Sequence, residues 1–342
     1  MGADHSIPTF TAMADLASAR VGGRAITASD DFFAPKSNLV KPEPAVFAPG
    51  RFTPNGKWMD GWESRRRRTP GHDWCVIRLG MRGRVRGVDV DTSYFTGNHP
   101  SHCSLDALDT TRAVTRVVTG AEEGTPWTEI LPRSALRGDT HNYFVIDGEA
   151  EGRSWTHLRL NIYPDGGVAR LRAYGDAVVD WSRITRRRQA VDLADIRLGG
   201  LVLGASDMHF GAKDNMIMPG RAVNMADGWE TRRRRGPGYD WAIIRLGTSG
   251  MLTKIEIDTN HFKGNYPDSA SVEGCFAPGA AIPALGSVDW FEILPQTKLK
   301  PHHRHFFARQ IRSDGLVSHV RLNIFPDGGI SRFRVHGIPA PA

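Results

Sequence analysis

Along most of the chain, apolar and polar positions alternate with period two in short runs broken by turn residues, a pattern that predicts β-structure. In Gly87-Val-Asp-Val-Asp91, Val88 and Val90 fall on an inward face and Asp89 and Asp91 on an outward one; Ile255-Glu-Ile-Asp258 repeats this. His157–Tyr163 alternates too: Leu158, Leu160 and Ile162 point inward, His157, Arg159 and Asn161 to the other face. Asp73–Leu79 is an almost unbroken apolar run, as in a strand buried on both faces. Pro164-Asp-Gly-Gly167 carries turn chemistry, and the return strand Val168–Tyr174 turns Arg170 and Arg172 outward. Helix is confined to a turn or two in Thr11–Ala19. Short strands between Gly/Pro/Asp turns predict a β-sandwich, and at this length a jelly roll.

The pattern occurs twice. Asp15–Gly23 matches Asp192–Gly200 at an offset of 177 residues, as do Ser29-Asp30 with Ser206-Asp207 and Phe33 with Phe210. Asp60-Gly-Trp-Glu-Ser-Arg-Arg-Arg-Arg68 then matches Asp227-Gly-Trp-Glu-Thr-Arg-Arg-Arg-Arg235 at 167, so the first copy holds ten extra residues, in the Pro-rich stretch between Lys41 and Lys57. Asp91-Thr92 and Phe95 match Asp258-Thr259 and Phe262, and Arg159–Gly167 matches Arg321–Gly329. Two domains are expected, residues 1–176 and 177–342, joined in a basic segment around Arg186-Arg187-Arg188.

Of 342 residues, 24% are charged and 40% hydrophobic, which suits a folded protein. No apolar run approaches the roughly 20 residues of a membrane helix, and Met1–Met13 has no signal-peptide core, so a cytoplasmic protein off the membrane is expected. Cys75, Cys103 and Cys275 have no CxxC spacing, and Cys75 becomes Ala242 in the second copy. Reduced thiols follow, with no covalent cysteine chemistry. The formal charge of +7 admits nucleic acid or a small anion. Acids beside the arginine runs favour the anion, so no nucleic-acid partner is expected.

These paired segments resemble the allantoicase family: the opening Asp15–Gly23 with Ser29–Phe33, both Asp-Gly-Trp-Glu-(Ser/Thr)-Arg-Arg segments, both Asp-Thr segments leading to Gly97-Asn98 and Gly264-Asn265, and both Arg-Leu-Asn-Ile-(Tyr/Phe)-Pro-Asp-Gly-Gly turns. The resemblance covers nearly the whole chain. It implies an all-β protein of two tandem jelly-roll repeats, like galactose-binding domains, that hydrolyses allantoate to ureidoglycolate and urea. It supplies no catalytic residue list, so the site is read from the sequence.

Allantoate carries a carboxylate and two ureido groups on one carbon. A fixed cation suits the carboxylate, and acid/base groups suit departure of urea and entry of water. Glu63, Asp91, Glu230, Asp258 and His261 are the candidates for proton transfer; Trp62, Arg66, Asn98, Trp229, Arg233 and Asn265 are the candidates for substrate binding. Both repeats are expected to contribute to one shared site, each contacting part of the substrate; only one ureido arm leaves, so their roles are unequal, with Tyr94 against His261 and His99 against Tyr266 as the nearby differences. The polar face of His157, Arg159 and Asn161 is expected at a surface or a domain interface. The cluster Pro301-His302-His303-Arg304-His305, with its counterpart Asp139-Thr140-His141-Asn142, raises acid/base chemistry but has no metal-ligand spacing. No metal and no cofactor are expected, and a homo-oligomer is. The reading from another class is a tandem β-sandwich that binds carbohydrate without catalysis.

Overall fold

Each repeat is organised around one 19-residue strand, Asp73–Asp91 in the first and Asp240–Asp258 in the second, in a computed structural model that describes residues 7–110, 125–282, 286–312 and 315–341. The first half of Asp73–Asp91 pairs antiparallel with Trp155–Tyr163 and with Arg24–Ala28. The second half pairs with Arg170–Ala177 and His141–Val145. Among the described residues the pairing links eight strands, with His102–Leu108 and Thr128–Ala135 outermost on one side. The second repeat has the same order and directions. One strand therefore serves two sets of neighbours, and the all-β, two-sandwich expectation holds. The chain divides into the units Met1–Val178 and Val179–Ala342.

The inward set of the alternating strands is the core: Val88, Val90, Leu158, Leu160 and Ile162 are fully buried. The outward set departs from expectation, because Asp89 and Asp91 are buried as well. Phe10 of the N-terminal turn packs over Gly87, where a Cβ would stand 2.6 Å from its ring, and against Tyr143 and Tyr174. That covers the face parity assigns to solvent. The His157–Asn161 face is likewise enclosed within its own repeat: Arg159 and Asn161 both donate to Asp106, at 2.8 Å. Arg170 does not point outward. Its side chain is 1% exposed, bonded to Asp60 at 2.7 Å, and Arg332 repeats this with Asp227 at 2.9 Å. The first residue of the Asp-Gly-Trp-Glu motif is thus half of a buried ion pair, where losing one partner strands a charge.

Among the described residues, no helix is long and apolar enough to cross a membrane.

Candidate active site

Segments far apart in sequence meet at the end of each sandwich. The strand Trp62–Glu63 pairs with Gly167–Val168, so the Asp-Gly-Trp-Glu motif lies beside the Pro-Asp-Gly-Gly turn. Ser64 exchanges backbone and side-chain hydrogen bonds with Gly166, and Thr231 does so with Gly328. The N–H of Gly167 donates to the Asn98 carbonyl at 2.8 Å, and that of Gly329 to Asn265 at 2.8 Å. Glycine is required here. Gly166 has φ 136°, and a Cβ on Gly167 would stand 1.9 Å from the Phe95 ring. The repeated Phe95 and Phe262 fill the space these glycines leave.

This convergence aims an asparagine at a glutamate. Asn98 Nδ2 donates to Glu63 Oε1 at 2.7 Å, and Asn265 Nδ2 donates to Glu230 Oε1. Burial raises the Glu63 carboxyl above its usual range; the Asn98 bond and the Lys57 charge oppose that rise. In the second repeat Glu230, Asn265 and Arg233 border one cleft of about 510 Å³ with Phe210, Tyr266 and Asp327. The arginine run is divided in its work. Arg65 pairs with Asp30 at 2.6 Å and Arg67 with Asp73 at 2.9 Å, and Arg234 pairs with Asp240. Arg66 and Arg233 are exposed, and among the described residues no ion pair engages them. Each repeat thus offers a carboxyl, an amide and an unspent guanidinium.

Other expected residues do not join the cleft. Trp62 and Trp229 are fully buried, and each indole N–H is spent at 2.8 Å on the carbonyl of Asp30 or Asp207. They anchor the strand and cannot contact substrate. Asp91 and Asp258 cap the turn that follows: Asp91 accepts from Ser93 N at 2.8 Å and Asp258 from Asn260 N at 2.8 Å, and both are buried. In this structure one oxygen of each serves the turn. His261 Nε2 lies 3.0 Å from the Ala222 carbonyl, and its backbone is left-handed (φ 71°) like that of Tyr94 (φ 69°).

Two members of the histidine cluster serve the backbone, and the repeat explains why. His302 Nδ1 accepts the His261 N–H at 2.8 Å, as Asp139 accepts that of Tyr94 at 2.7 Å. His305 accepts the Lys300 N–H at 2.8 Å and faces the Ile257 carbonyl at 3.0 Å; Asn142 makes the same two bonds, to Arg137 N and the Val90 carbonyl. These rings replace Asp and Asn in backbone service. Among the described residues, no three His, Cys, Asp or Glu side chains are grouped as a metal ion needs. The three cysteines are buried thiols, with Cys103 pushed up by burial to about 12.

Sequence reasoning missed the turn aspartates. Asp165 and Asp327 accept the N–H of Arg67 at 2.8 Å and of Arg234 at 2.7 Å, which sets the course of the arginine run past the cleft. Their presence in both Pro-Asp-Gly-Gly turns was the available signal.

A family model described as allantoicase repeat matches residues 14–178 and 191–340. The chain is 51% identical over 342 residues to a protein named probable allantoicase from Pseudomonas paraeruginosa, covering 99% of each. It is 48% identical to probable allantoicase 1 from Burkholderia mallei, covering 98% of this chain and 97% of that one. The crystal structure of allantoicase from Saccharomyces cerevisiae superposes with a TM-score of 0.80 at 35% identity, covering 95% of this chain and 92% of that one.

Proposed function

The chain belongs to the allantoicase family, and from that premise we propose that it hydrolyses allantoate to ureidoglycolate and urea at the clefts holding Glu63, Asn98 and Arg66 and holding Glu230, Asn265 and Arg233. The observation that supports these clefts is the asparagine–glutamate bond made by the same residues in both repeats, beside an arginine that no described residue neutralises.

The guanidinium of Arg66 or Arg233 receives the substrate carboxylate through its planar fork. The glutamate starts ionised, held by the asparagine amide. Water adds to the central carbon as the bond from that carbon to one ureido nitrogen breaks. The carboxylate takes a proton from the water and hands one to the departing nitrogen. Urea leaves, the hydroxyl stays on carbon as ureidoglycolate, and the glutamate ends ionised as it began. Positioned proton transfer of this kind contributes roughly 10²- to 10⁴-fold.

The finer readings are a cytoplasmic location, which unpaired buried thiols support, and assembly as a homo-oligomer, which light scattering on the purified chain would test. The reaction is tested by urea release from allantoate by the full-length protein and its Arg66→Ala and Arg233→Ala variants. Loss of a charged hydrogen bond to the transition state costs about 2–3 kcal/mol, roughly 30- to 150-fold in kcat/KM. The Arg66→Ala, Arg233→Ala double variant is expected to lose that much, and each single variant only the share of its own cleft. Wild-type kinetics in the double variant would move the anion site elsewhere.

A further inference from the structure

The surroundings of the two glutamate–asparagine pairs differ. The extra residues of the first repeat include the hairpin Phe52–Thr53 and Gly56–Lys57. On one side, Asn55 Nδ2 donates to the Phe32 carbonyl at 2.8 Å, and a Cβ on Gly56 would stand 3.6 Å from the Phe33 ring. Phe33 is half-buried as a result, whereas its counterpart Phe210, which borders the second cleft, is 62% exposed. On the other side, Lys57 Nζ lies 4.9 Å over the Phe47 ring, and Phe47 stacks on Tyr94 at 5.6 Å.

Both anchors belong to the Glu63 site. The Phe33 N–H donates to the Glu63 carbonyl at 3.2 Å. Tyr94 opens the loop whose Asn98 holds the Glu63 carboxyl. The hairpin spans these two supports and carries Lys57 into electrostatic reach of that carboxyl. The second repeat has no equivalent segment, and its His261, at the Tyr94 position, turns to the Ala222 carbonyl.

We propose that Lys57 is a substrate-binding residue of the first cleft, a second cation beside Arg66 that holds the carboxylate of allantoate and makes this the cleft with the higher affinity. This rests on reading the glutamate–asparagine–arginine clefts as the allantoate sites. A lysine is a point charge on a flexible stem, and the Phe47 ring beneath its Nζ limits where that charge can swing. A cation that favours the ionised form of Glu63 also offsets the repulsion between that carboxylate and a bound one.

The test is steady-state urea release by the full-length protein with Lys57→Arg, Lys57→Met and Lys57→Glu, each checked for an unchanged melting temperature. The order of KM for allantoate is expected to follow charge: Arg close to wild type, Met raised about tenfold, Glu higher still, with kcat within about threefold throughout. A KM that stays at the wild-type value in Lys57→Met, or that follows side-chain size in place of charge, overturns the assignment. Glu63→Gln and Glu230→Gln measured alongside separate the two ideas. If the Glu63→Gln, Glu230→Gln double variant keeps wild-type urea release, the cleft reading fails and Lys57 falls with it. If the double variant is inactive while Lys57→Met keeps its KM, only the Lys57 assignment fails.

Discussion

Glu63 and Glu230 show how far single residues could be read from sequence. Each follows Asp-Gly-Trp, and each meets an asparagine 35 positions further on. The glutamates, asparagines and arginines were legible because polar residues on a surface drift unless something holds them, and here both copies agree. Trp62 and Asp91 misled for the complementary reason. A tryptophan repeated in a motif reads equally as a platform or as core, and alternation assigns Asp91 to solvent when Phe10 and the flanking strands cover that face. At this scale the account predicts a pH effect. Burial raises the Glu63 carboxyl, and the Asn98 bond favours its ionised form. Catalysis uses the ionised form, so activity falls as pH drops through that raised value, above the ordinary 4.5. Asn98→Ala removes the opposing bond and should move the acid limb of the kcat/KM profile to higher pH. A limb that stays in place or moves down would contradict the role of Asn98.

Element by element, the strands were read well and their surroundings less so. The period-two pattern located the long strands, and Pro-Asp-Gly-Gly located the turn. It could not show that this turn ties the glutamate strand to the asparagine loop, because those contacts span up to 106 positions, from Trp62 to Val168. The strands His141–Val145 and Arg304–Phe307 illustrate a substitution that only register reveals. His141 stands opposite Asp91 and bonds Asp89 at 2.7 Å; Arg304 stands opposite Asp258 and bonds Glu256 at 2.7 Å. The Asp89 bond raises the His141 imidazole above its usual 6.5, whereas the arginine stays charged. Stability from His141 is therefore fully present below about pH 6.5 and is lost as pH rises through the raised value. Thermal melts should show His141→Gln below wild type in mild acid, with the gap closing at alkaline pH. Arg304→Gln should show a gap that varies little over the same range. A pH-independent gap for His141→Gln would rule out its pairing with Asp89 as an ion pair.

At the scale of the whole molecule, duplication was the most legible fact and the source of the most reliable inferences. It fixed two domains of one fold, and comparing copies sorted structural from chemical residues: His302 stands for Asp139 and His305 for Asn142 in backbone service, while glutamate, asparagine and the free arginine are kept unchanged. The hairpin could be seen in sequence only as ten extra residues, because its position over Phe33 depends on contacts with no sequence periodicity. Each repeat builds its glutamate–asparagine pair from its own residues, so the central claim is that urea release from allantoate runs through these carboxyls. The most direct test is kcat/KM for urea release by the full-length Glu63→Gln, Glu230→Gln and double variants, with circular dichroism to confirm the fold. The account predicts a loss of at least about 100-fold in the folded double variant, with the larger single effect at Glu63. A folded double variant that releases urea at the wild-type rate would contradict it.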